Sequence, residues 1–92
     1  MIKGTTSSGF AFEIADEARD DMELLEAFID LDNGKMGAIS RAISALLGEL
    51  QKKALYEHCR NKETGRVSAN AVFEAIKEIM VESAGQSDGV KN

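Results

Sequence analysis

Apolar positions recur along this chain with two periods. Near the start they alternate: Phe10, Phe12 and Ile14 put three apolar side chains on one face of an extended run, and Ile2 to Thr6 is a second run of this kind. Ser7-Ser8-Gly9 lies between the two and predicts a hairpin turn. An isolated hairpin is marginal in water, so this one is expected to lay its apolar face on helices.

From Asp20 or Asp21 the period becomes helical. Ala18, Met22, Leu25 and Ile29 form an i, i+4, i+7, i+11 stripe expected to face the core, widened by Leu24, Phe28 and Leu31. Acids open this helix, where the dipole favours them, and Asp32-Asn33-Gly34 closes it. A second helix fits Met36 to Leu47, with Ile39, Ile43, Leu46 and Leu47 inward. Gly48 predicts a break, and Glu49 to Arg60 a third helix. Asn61 to Arg66 reads as a polar turn. Ser68 is a good N-cap for a last helix carrying the cleanest stripe in the chain: Ala69, Val72, Phe73, Ile76, Ile79 and Met80. The expected fold class is mainly α (α+β), a small single domain of about four helices with an N-terminal β-hairpin. The domain is expected to span residues 1–84, with the hairpin at 2–14 and residues 85–92 as a mobile tail with little to pack.

Composition fits one modest core. The chain has 92 residues, room for a single domain, and 43% hydrophobic residues, which argues against wholesale disorder. No apolar run approaches the ~20 residues of a membrane span, and no apolar segment follows Lys3 as in a signal peptide. One cysteine cannot close an internal disulfide, so a reducing, cytosolic setting is expected. Charge is unevenly distributed. Phe10 to Asn33 holds nine acids and one base, whereas Gly34 to Arg66 holds seven bases and three acids. Two solvated faces would account for this, and so would acidic and basic segments attracting each other within one chain or in weak self-association. The overall charge of -5 makes nonspecific nucleic-acid binding a poor fit.

Candidate chemistry is sparse. Asp30-Leu31-Asp32-Asn33-Gly34 has the look of an EF-hand calcium loop, but neither register works. Starting at Asp30 puts Lys35 where glycine is needed and Arg41 where the bidentate Glu is needed; placing Gly34 correctly puts Ile29 first and Ser40 last. The turn around Gly65 fails in the same way, with Arg60 first and Ala71 last. His58 and Cys59 are neighbours on a helix, so their side chains diverge by roughly 100° and cannot act as nucleophile and base. Lys52, Lys53, Arg60, Lys62 and Arg66 with Tyr56 read as a solvated face in preference to a phosphate site. No enzymatic activity, metal or cofactor is therefore expected. Four apolar helix faces and a hairpin compete for one small core. Phe73, Ile76 and Met80 on the last helix are thus candidates for a partner surface, with core packing as the alternative.

The order of the blocks resembles a family of small proteins from the tail-gene clusters of phages and prophages of gram-positive hosts, the tail assembly chaperones of long-tailed siphophages. The matching blocks are Thr6 to Phe10 with Phe12-Glu13-Ile14, then Asp20 to Ala27, Leu46 to Glu49, Gln51 to Arg60, and Gly65-Arg66-Val67. Members of the family often carry proline after Gly-Arg-Val; Ser68 stands there in this chain, and both residues suit a helix start. The resemblance implies a non-enzymatic protein that binds the tape measure protein in the host cytoplasm. It would keep that protein soluble while tail tube subunits assemble, and would not be retained in the virion. The resemblance also implies a longer, frameshifted form that recruits tail tube protein. Val90-Lys91-Asn92 is compatible with a slippery heptamer, depending on its codons. The alternative role is a small phage-encoded regulatory or virion-structural adaptor acting by protein–protein contact.

Overall fold

A computed structural model describes residues 1–87 of the chain, with side-chain surroundings through residue 83. The alternating N-terminal pattern builds an antiparallel hairpin, β1 (Ile2–Thr5) on β2 (Ala11–Ile14), with Ile2 opposite Ile14 and Gly4 opposite Phe12. Ile2, Phe12 and Ile14 are buried, as are Thr6 and Phe10 at the turn, while Lys3, Thr5, Ala11 and Glu13 face out. Gly4 is required by packing, since a Cβ there would sit 2.7 Å from the Phe12 ring. The turn closes on Thr6. Its N–H donates to the Phe10 carbonyl, its own carbonyl accepts from Gly9, and its hydroxyl accepts from the Phe10 N–H.

A single 3₁₀ turn (Asp16–Asp20) leads into α1 (Met22–Asp32). Asp21 caps α1 by accepting from the Glu23 and Leu24 N–H groups, at 2.9 and 3.1 Å. The rotation of α1 corrects the sequence reading. Leu24 and Ala27 are buried, with Phe28 and Leu31 half-buried, whereas Met22, Leu25 and Ile29 are 62%, 51% and 49% exposed. Both sets have helical spacing, so periodicity alone could not choose between them. Packing chose the arc that contains Ala27, where α1 meets the short 3₁₀ turn (Met36–Ala38) and α2 (Ile39–His58). Ala38 and Ala42 are also fully buried, and small side chains on both partners let the helices approach closely.

α2 is the second and third expected helices joined at a kink. Gly48 lies there at φ 83°, ψ 166°, a backbone conformation essentially confined to glycine. Two side chains from beyond the kink reach back across it. Gln51 donates to the Leu47 carbonyl at 2.8 Å, tying the two arms together across Gly48. The Lys52 ammonium donates to the Ser40 and Ser44 hydroxyls at 2.6 and 3.1 Å and lies 5.9 Å from the centre of the Tyr56 ring. Lys52 is therefore a brace across the kink, whereas the sequence suggested a solvated cation.

After α2, Arg60 and Val67 form an isolated antiparallel bridge around the Asn61–Arg66 turn. Ser68 caps α3 (Ala69–Ser87) through its hydroxyl, which accepts from the Ala71 N–H at 3.1 Å. α3 buries Val72, Ala75, Ile76 and Ile79. It runs through Ser87, past the expected start of the tail at Gly85, and the remaining residues 88–92, including the candidate slippery site, lie outside the described residues. Three helices are thus present among the described residues, with the N-terminal hairpin packed on α2 and α3. None of the helices is long and apolar enough to cross a membrane.

Candidate functional site

α3 meets the hairpin closely but stands away from the C-terminal half of α1. The gap is an apolar groove of about 470 Å³. Phe73, Ile76 and Met80 form its α3 wall, while Phe28 and Leu31 of α1, Met36 of the following turn and Ile39 at the start of α2 form the other. The three residues singled out in the sequence differ in role. Phe73 and Met80 are half-buried and line the opening, whereas Ile76 is only 2% exposed and belongs to the core beneath. The opposite wall was not singled out, because which arc of α1 would face α3 is a tertiary property. Polar groups stand only at the rim, among them Asp32, Asn70 and the Glu74–Lys77 pair at 3.5 Å. Such a groove can accept apolar side chains and offers few directional contacts to a small polar ligand.

A second feature is the clasp on the hairpin turn. The Ser7 N–H and hydroxyl both donate to the Glu78 carboxylate, at 2.6 and 2.8 Å. Those bonds, the backbone one foremost, hold the Glu78 carboxyl below the usual carboxylate range. Next to it the Ser8 hydroxyl and His58 Nε2 are 3.1 Å apart, and the His58 ring packs on Phe10 with centroids separated by 5.6 Å. Ser8 and His58 thus make the first contact of a nucleophile–base pair. No described group hydrogen-bonds the other ring nitrogen to orient it, and the contact works as a lock on the hairpin. Sequence gave no hint of this meeting, because the partners are 50 residues apart. Cys59 is half-buried, and burial pushes its thiol up, away from the reactive thiolate. Among the described residues no group of three or more His, Cys, Asp or Glu is placed to hold a metal.

The edge of β2 is also occupied. The Gln51 amide accepts from the Glu13 N–H at 2.7 Å and donates to the Glu13 carbonyl at 2.6 Å, as a neighbouring strand would. The acidic and basic segments meet within the chain at Asp30, which pairs with Arg41 at 2.8 Å and Lys35 at 3.9 Å. Compared with known proteins, the chain matches no family model, no curated protein and no solved structure.

Proposed function

We propose that this chain is a tail assembly chaperone of a long-tailed siphophage or prophage. It binds the tape measure protein in the host cytoplasm, keeps it soluble while the tail assembles, and leaves before the virion is complete. The observation that carries the reading is the solvent-open groove with Phe73 and Met80 at its mouth. A protein that holds an aggregation-prone helical partner needs apolar surface left over from its own core, and charge enough to keep the complex in solution. The resemblance in the order of the blocks is the second support, and two of its blocks meet the Gln51 to Arg60 block. The Thr6 to Phe10 turn sits on His58, and the Gly65-Arg66-Val67 block bridges to Arg60. In this reading the protein is not an enzyme, and a longer frameshifted form brings in tail tube subunits.

Co-expression with the tape measure protein tests the proposal. The wild-type chain should move that protein from the pellet to the soluble fraction. Phe73→Ser and Met80→Ser together should reverse this while the helical circular dichroism of the chain is kept. A tape measure protein equally insoluble with and without the wild-type chain refutes the chaperone role. Finding the chain in purified virions would favour a virion-structural adaptor instead.

A further inference from the structure

α1 turns a second apolar row to solvent. Met22, Leu25 and Ile29 are spaced i, i+3 and i+7, within an arc of roughly 60° on the outer side of the helix. The row continues toward the groove, because Leu25 and Phe28 line one hollow and Phe28 also lines the groove wall. Its other border is negative. Glu23 and Glu26 share an open trough with Ile29. Neither carboxylate is paired with a cation among the described residues; Arg41, which lines the same trough, and Lys35 are engaged by Asp30, and Arg19 lies on the opposite border, in the hollow with Leu25.

From this we infer that the outer face of α1 docks an amphipathic helix whose apolar ridge is flanked by Lys or Arg. The apolar row extends ~10 Å along the axis, two helical turns, and suits a helix lying alongside so that ridges interdigitate. The unpaired carboxylates select the sign of the flank that lies over them. A second copy presenting its own α1 would bring acid against acid and is disfavoured. The inference deepens the chaperone reading and rests on it for one point, that the docked helix belongs to the tape measure protein.

Two synthetic peptides of about 21 residues decide the matter, with the same leucine ridge flanked by Lys in one and by Glu in the other. Each is titrated into the full chain while methyl and amide chemical shifts are recorded. The Lys peptide should shift Met22, Leu25 and Ile29 saturably, and the Glu peptide should bind about tenfold more weakly or worse. Leu25→Ser, at an exposed position, and the pair Glu23→Gln with Glu26→Gln should each weaken the Lys peptide by about tenfold. Salt near ~0.5 M should do the same. Equal binding of both peptides, or shifts confined to Phe73 and Met80, overturns the inference. If the Lys peptide does not bind, the inference falls even where the wild-type chain solubilises the tape measure protein, a result that leaves the chaperone role standing. If the Lys peptide binds at the row but the tape measure protein stays insoluble, the chaperone role falls and the docking face stands.

Discussion

Gly48 is a position where the backbone dictates the residue. At φ 83° and ψ 166°, with open space around the place of a Cβ, it is conformation and not crowding that excludes a side chain. Gly48→Ala should therefore lower stability by about 1–3 kcal/mol, read from the urea midpoint, with little change in near-ultraviolet signal from the core. Glu78 is governed by charge. Its folded pKa is depressed by the Ser7 bonds, so its contribution is complete above the unfolded value, about 4.3, and is lost as pH falls through the lower folded value. Urea midpoints for wild type and Glu78→Gln should differ at neutral pH and converge as the solution is acidified; a gap unchanged down to pH ~3 would show that the carboxylate charge adds nothing to the clasp.

At the scale of elements, α1 shows how far a sequence pattern reaches. The hairpin was legible because its two-residue period has one solution, and the starts of α1 and α3 were legible because Asp21 and Ser68 are caps. The rotation of α1 was not, since it is apolar over more than half its circumference and offers two helical stripes. Half of the groove was hidden for the same reason: Phe73, Ile76 and Met80 can be read off α3, but Phe28 and Leu31 join them only once α1 is oriented. A paired substitution checks that orientation. Leu24→Ala, at a buried site, should cost about 2–5 kcal/mol, whereas Leu25→Ala should stay within about 0.5 kcal/mol in denaturant unfolding. The side-chain bonds of Gln51 and Lys52 across the kink also escape sequence reading, because they depend on how the two arms of α2 are set relative to each other.

Across the whole molecule, the clasp joins Ser7 to Glu78, 71 residues further along the chain. A ribosome makes the hairpin well before Glu78. At about 5–20 residues per second the interval between them is roughly 4–14 s. Through that time β1 has no α3 to pack on, although β2 can already rest on α2, so the apolar face of the hairpin is only partly covered. The hairpin is therefore most in need of protection while the chain is being translated: α2 gives it a first cover, and α3 completes it.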